Sequence, residues 1–276
     1  MLEKLTYENH MGEVFEFGKD GIYVNTSNLH DYEWVTTTKG DRISTLTRKV
    51  STRSLPVVIL CDTAGKGTAA RNRLLEVMEK DVLAMEPGKI IIGGYYFKCF
   101  VTKSSKGAYL INKRYMTLTL TLTSDRPYWV KESTFSFHAG GNATSETSAY
   151  LDFSYDYPFD YAIDTTTDKA TNSGYAAANF RLIVYGTCTN PAVYINGHRY
   201  QVNCEIGTNE YLTIDSVTKK IYLTQNDGTT INKFADRSKD DYIFEKIPDG
   251  SNVVSWDGDF GFDLTIIEER SEPKWT

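Results

Sequence analysis

The sequence predicts a mainly β protein with one helix. A β-sandwich-like first domain carries the helix, and the second domain is an antiparallel β-sandwich. Three observations predict it. In residues 115–123, Thr117, Thr119, Thr121 and Thr123 alternate with Met116, Leu118, Leu120 and Leu122, which puts hydroxyls on one face of a strand and apolar side chains on the other. A helical stripe occurs at one place, where Leu74, Met78, Val82 and Met85 recur at helical spacing, widened by Leu75 and Leu83. Beyond residue 133, short apolar or alternating runs are punctuated by Asn196-Gly197, Asp227-Gly228, Asp249-Gly250 and Asp257-Gly258, the turn pairs of antiparallel hairpins.

The elements follow in order. Val14-Phe15-Glu16-Phe17 leads through Asp20-Gly21 into Ile22-Tyr23-Val24, a strand, turn and strand. Residues 32–38 read as a strand. Residues 42–54, polar and rich in Thr and Arg, read as an exposed strand or a protruding hairpin arm. The unbroken apolar run 56–61 reads as a buried strand. The helix is expected over residues 68–86, with Thr68 as its N-cap and Pro87-Gly88 as its stop. Strands are then expected at 89–92, 95–103 and 115–123, the Leu face of the last packing against the helix stripe. Asp125-Arg126-Pro127 ends that strand, because proline donates no ladder hydrogen bond and restricts the residue before it. The domains therefore divide into 1–132 and 133–276. In the second, strands are expected at 135–137, 149–155, 180–185, 193–195, 200–203, 211–214, 220–224, 242–247, 252–256 and 262–267, with 164–174 the most loop-like segment.

At 276 residues, 41% of them hydrophobic and 24% charged, the chain has the apolar content for sizeable cores. Nineteen tyrosines and abundant threonine favour strands. The net charge of −6 argues against a protein that grips nucleic acid through its phosphates. The opening MLEKLTYENH has charges and no apolar core segment, so no secretory signal is expected. The longest apolar run, 56–61, is far too short to span a membrane. A soluble protein made in the cytosol is the expectation. Cys61 and Cys99 sit in apolar strand-like runs and read as buried, reduced thiols. Spacing leaves a Cys188–Cys204 bridge open without implying it.

The motifs that carry chemistry fail one by one. Ala64-Gly65-Lys66-Gly67-Thr68 lies where a phosphate-binding loop would, but Cys61 and Gly67 stand where that loop needs Gly and Ser or Thr. It reads as a flexible strand-to-helix turn. Asp257, Asp259, Asp263 and Glu268 match four positions of a calcium loop, yet Phe262 occupies the position that requires Gly, and the segment alternates like a strand. His10, His30, His138 and His198 have no metal-ligand partner at helical or hairpin spacing, and His198 reads as an exposed turn residue. No nucleophile elbow is present, and no carboxylate pair is singled out. Trp34, Trp129, Trp256 and Trp275 raise a sugar-stacking platform, with Trp256 its candidate, although aromatics on sandwiches more often fill cores or interfaces. Asn25-Thr26-Ser27 and Asn142-Ala143-Thr144 are chance matches to the glycosylation sequon without a signal.

The order of several short motifs resembles the distal tail protein family (the siphophage tail component) of long-tailed phages of Gram-positive bacteria. The first is Phe15-Glu16-Phe17 with Gly21-Ile22. The helix follows, then Pro87-Gly88-Lys89-Ile90-Ile91-Ile92-Gly93, then the Thr/Leu strand closing on Ser124-Asp125-Arg126-Pro127-Tyr128-Trp129. Later come Tyr185-Gly186, Asn190-Pro191, Glu210-Tyr211-Leu212-Thr213-Ile214-Asp215, Ile247-Pro248-Asp249-Gly250-Ser251-Asn252 and Glu272-Pro273-Lys274-Trp275-Thr276. The resemblance spans essentially the whole chain.

The resemblance implies a structural protein, not an enzyme, with no cofactor. It implies a ring, usually a homohexamer, whose first domain joins the tail tube to the tail-tip hub of the baseplate. The second domain would be a galectin-like sandwich facing outward, and DNA would pass through the hole. The same parts occur in prophages and tail-like particles. The place of action is the virion tail tip, after synthesis in the bacterial host cytoplasm. From the residues themselves, the 42–54 arm, with Arg42, Arg48, Lys49 and Arg53, is the candidate contact between subunits. The alternative function is a carbohydrate-binding module for host cell-wall polysaccharide, centred on Trp256.

Overall fold

The computed structural model describes residues 4–25, 27–107, 114–140 and 166–274. The expected strand at 149–155, both sequons in part or whole, and Trp275 lie outside the described residues. The chain forms two compact units, one of Met1–Lys131 with Glu269–Thr276, the other of Glu132–Glu268. The last residues thus join the first unit, whereas the sequence pattern predicts them in the second.

The first unit contains β1 (Thr6–Glu8), β2 (Val14–Glu16), β3 (Ile22–Val24), β4 (Val35–Lys39), β5 (Arg42–Thr47) and β6 (Ser51–Leu60). The helix α1 (Ala64–Ala84) follows, then β7 (Gly88–Ile92), β8 (Tyr95–Lys106), β9 (Tyr115–Ser124) and the start of β10 (Trp129–Phe137). β8 serves two antiparallel runs. Its first half pairs with β7, which continues through β1 to β2. Its second half, from Phe100 onward, pairs with β9 in a ladder whose register shifts between Val101 and Lys103, and β9 continues through β6 to β3. The break expected at Asp125-Arg126-Pro127 separates β9 from β10 inside this unit.

The Thr/Leu strand is β9. It pairs with β6 along its full length, from Tyr115↔Leu60 to Ser124↔Ser51. Met116, Leu118, Leu120 and Leu122 are buried, and the intervening threonines are half-buried. The apolar row shares one core with Leu74, Val77 and Met78 of α1 and with Tyr7, Phe97 and Trp129. Burying a Leu, Ile or Phe side chain contributes about 1.5–3 kcal/mol relative to exposure, so this core holds the unit together.

The helix begins five residues earlier than the pattern predicts, its cap at Thr63 and not Thr68. Thr63, in extended geometry, is the N-cap, and its hydroxyl accepts the Lys66 N–H at 3.3 Å. The Ala64–Thr68 stretch is therefore the first helical turn and not a flexible loop. Gly65 and Gly67 hid it, since each costs about 1 kcal/mol against Ala in a helix. Gly67 and Ala70 are buried, so small residues line the face that packs inward. Thr68 is inside the helix, donating its hydroxyl to the Ala64 carbonyl at 3.0 Å. At the other end, Met85 and Leu83 are exposed. Asp81 takes the inward position instead, and Met85 is the left-handed C-cap at φ 57°.

The second unit contains the rest of β10, then β11 (Thr166–Asn172), β12 (Asn179–Tyr185), β13 (Cys188–Thr189), β14 (Ala192–Ile195), β15 (His198–Gln201) and β16 (Glu205–Ile206). β17 (Tyr211–Asp215), β18 (Lys220–Thr224), β19 (Thr230–Asn232), β20 (Gly250–Trp256) and β21 (Gly261–Arg270) complete it. One antiparallel sheet runs β19-β18-β17-β12-β21-β10, a second β11-β20-β14-β15. They enclose a core of Phe180, Leu182, Leu212, Ile214, Ile221, Val254, Trp256, Phe262 and Leu264, among others. This is the antiparallel sandwich the turn pattern predicts.

Two segments differ from expectation. Residues 164–174, the most loop-like stretch, hold β11, paired with β20 from Thr166↔Trp256 to Asn172↔Gly250. Its polar composition suits an edge strand, in which Ala170 reaches the apolar core and Asn172 is buried among backbone carbonyls. Residues 242–247 are not a strand. They turn, placing Ile243 and Phe244 in the core and leaving one bridge, Ala178↔Ile247. All four cysteines are free thiols; Cys99 is fully buried, which pushes its pKa up to about 12.

Candidate assembly surface

β4 and β5 form a hairpin that, among the described residues, pairs with no third strand. The ladder runs from Val35↔Thr47 to Lys39↔Arg42 with a bulge after Thr37. Gly40 turns the corner at φ 61°, as the first central residue of a type II′ turn requires. Every residue of β5 is exposed, including Ile43 at 62% and Leu46 at 54%. The projecting segment is thus 35–47, formed by two strands, whereas composition predicts an exposed strand or hairpin arm at 42–54.

The four predicted arm residues separate. Arg42 is exposed beside the tip, and Lys49 is exposed just past the foot. Arg48 is half-buried at the foot, its guanidinium 4.8 Å from the Trp34 ring centroid, 4.8 Å from Tyr128 and 5.4 Å from Tyr32. It also donates to the Pro127 carbonyl and to Ser271 Oγ. Arg53 is not on the arm. It is 4% exposed in β6, stacked 4.1 Å from the Phe97 centroid and donating to the Leu29 carbonyl. Burial, with Arg48 nearby, lowers its pKa to about 10, so it stays charged at neutral pH. Strand alternation explains the difference: Arg53, Leu55 and Val57 share the inward side of β6.

Trp256 is 1% exposed. Its indole N–H donates to the Phe260 carbonyl at 3.1 Å, and its ring meets Phe137 and Phe262 edge-on. It has no open face on which a sugar ring could stack. Trp129 is likewise buried, against Phe97 and His30.

A buried polar cluster that no sequence motif marks joins β1 to α1. Asp81 accepts the Tyr7 hydroxyl at 2.5 Å, the His10 backbone N–H at 2.8 Å and the His10 ring at 2.6 Å. Asn9 accepts from the Met11 and Glu13 amides and donates to the Glu13 carboxylate, which Lys80 also binds at 2.7 Å. Lys80 and Asn9 hold Glu13 below the usual carboxylate range. The cluster ties the β1–β2 turn to α1. His198 opens β15 and contacts the Tyr242 carbonyl at 3.0 Å. Among the described residues, no group of three or more His, Cys, Asp or Glu side chains is placed to hold a metal, and no helix is long and apolar enough to cross a membrane.

No protein-family profile and no curated protein matches the sequence. Solved structures do. The Dit protein (gp 19.1) of phage SPP1, described as a paradigm of the hub adsorption apparatus in Gram-positive-infecting phages, aligns at TM-score 0.59 and 10% identity, covering 98% of this chain and 100% of that one. A chain of the phage P2 baseplate, activated with Ca, aligns at TM-score 0.60 and 12% identity over 99% of this chain and 100% of that one. The phage p2 baseplate activated with Sr gives 0.61 and 11%, with the same coverage. Along essentially its whole length, this chain therefore has the fold of the Dit-type distal tail protein of phages that infect Gram-positive bacteria.

Proposed function

We propose that the chain is a structural, non-enzymatic component of a phage tail tip, a homo-oligomeric ring that connects the tail tube to the tail-tip hub. The end-to-end likeness to a hub adsorption protein and to baseplate chains carries the reading. The unpaired hairpin of β4 and β5 supports it, since open strand edges invite pairing with another chain. In this reading the first unit builds the ring, usually of six copies, and the second faces outward. The net charge of −6 suits a conduit that lets DNA pass without holding it. The protein then belongs to the virion tail tip, after synthesis in the host cytoplasm. Light scattering with size exclusion and negative-stain microscopy test it: rings are expected, alone or with tube and hub proteins. A strict monomer that joins neither partner overturns it.

A second reading, a carbohydrate-binding surface, rests on a separate observation. Tyr185 and Tyr211 are paired across β12 and β17, both exposed, with ring centroids 6.2 Å apart. Tyr185 donates to Asp263 at 2.9 Å. Partial burial and that bond push its pKa up to about 12. Titration with host cell-wall polysaccharide decides it: binding lost in Tyr185→Ala and Tyr211→Ala supports the surface, and no response at millimolar sugar rejects it.

A further inference from the structure

Arg48 stands one residue beyond β5, and the three rings around it come from both sides of the hairpin. Tyr32 and Trp34 precede β4, and Tyr128 lies between β9 and β10. Its hydrogen bonds reach Pro127 in that same connection and Ser271 in the returning C-terminal segment. Only a guanidinium can present flat faces to aromatic rings while its edge donates in the ring plane. The strand entering the hairpin, the strand leaving it and two segments of the unit body thus converge on one side chain.

The hairpin needs such a foot. Two strands without a third are marginal in water, and its outer residues have no packing of their own to set a direction. We propose that Arg48 is a positioning residue that clamps the hairpin at its foot, so that Val35–Thr47 stands preformed as the contact surface for a second copy of this chain.

The choice of occupant follows from the surface. Within residues 35–47 the charged side chains are Lys39 and Arg42 against one acid, Asp41, a local excess of positive charge on a chain whose net charge is −6. A second copy supplies the opposite sign. Ile43 and Leu46 add apolar contact, and the open edges add strand hydrogen bonds. An arm from each copy seated on the next is a head-to-tail contact, the kind that closes rings. A preformed arm loses less freedom on seating than a loose one.

This inference rests on the assembly reading, and two separate readouts keep them apart. The first is amide hydrogen exchange in residues 35–47 at concentrations where the full chain is monomeric. Arg48→Ala is expected to raise exchange there about tenfold while leaving the β6–β9 ladder unchanged. Arg48→Lys keeps the charge without the fork and is expected to follow it, and it carries the test if Arg48→Ala does not fold. The second is association, by sedimentation against concentration. Both Arg48 variants are expected to weaken it at least about tenfold. Arg42→Glu is expected to weaken it without changing exchange. Unchanged exchange in both Arg48 variants overturns the clamp, whatever the assembly does. Raised exchange with undiminished association overturns the hairpin as the contact. A wild type that never associates, with tube and hub proteins present, fails the assembly reading, and the exchange result still decides the clamp.

Discussion

The Tyr7 hydroxyl donates to Asp81 Oδ2 at 2.5 Å across 74 residues of sequence, joining the first strand to the helix in the interior of the first unit. The carboxylate is fully buried, and its other oxygen is taken by the backbone and ring of His10. A buried carboxylate without such partners would be costly, so this pair sets the depth at which the end of α1 rests on the sheet.

Tyr7→Phe removes a hydrogen bond to a charged group and is expected to cost about 1.5–3 kcal/mol. Chemical denaturation measures it, and a double-mutant cycle with Asp81→Asn should show strong coupling between the two sites. Gly88→Ala should do comparable damage, about 1–3 kcal/mol. A Cβ there would stand 2.3 Å from Asp81 Oδ2 and 2.4 Å from the Tyr7 hydroxyl.

The helix start is testable with two threonines. Thr63→Ala removes the N-cap and is expected to cost about 0.5–2 kcal/mol. Thr68→Ala, inside the helix, should be neutral or slightly stabilising. Gly65→Ala, with nothing within 4 Å of the new Cβ, should stabilise by up to about 1 kcal/mol. Thermal melts that reversed the order of the two threonines would return the cap to Thr68.

Trp256→Ala is expected to cost about 3–5 kcal/mol by opening a cavity in the second unit. The loss should register in denaturant unfolding, with no specific change in sugar binding beyond that of a destabilised unit.

Alkaline pH should weaken both units. Burial raises the phenol pKa of Tyr7, with help from Asp81, and burial raises that of Tyr200, whose hydroxyl donates to the Glu245 carbonyl at 2.9 Å. A raised folded pKa keeps the proton on the folded state while the unfolded chain loses its own near pH 10. Their stabilisation is therefore complete below about pH 10 and falls above it, by about 1.4 kcal/mol per pH unit for each group. Unfolding free energies measured across pH 9–11 check the slope, and Tyr200→Phe should flatten it by one group's share.

Much of the fold was legible because alternation is local. The Thr/Leu row of β9 could be read directly, as could the runs that became β6, β7, β12 and β21. Other elements were masked by composition. β11 has one apolar residue turned inward, Ala170, so its polar run read as a loop, and it is a strand only because β20 lies beside it. The first helical turn was obscured by Gly65 and Gly67, whose low propensity is overridden by a cap and by the close packing that Gly67 allows.

The candidate surface was half visible. A projecting arm near residue 42 could be inferred from its polarity, but its outline could not. Arg48 and Arg53 look alike in sequence, one at a hairpin foot among three rings, the other buried on a core ring. Trp256, exposed or buried, has the same neighbours in sequence. The sequence by itself determined the β-rich class, the helix α1, the antiparallel sandwich and the alternating face of β9, because those depend on periodicity within a few residues. Only the tertiary structure decided which polar groups lie inside. Asp81, Arg53 and the guanidinium of Arg48 find their partners through contacts between segments far apart in the chain, and burial of a charge is settled by those partners, not by the residue that bears it.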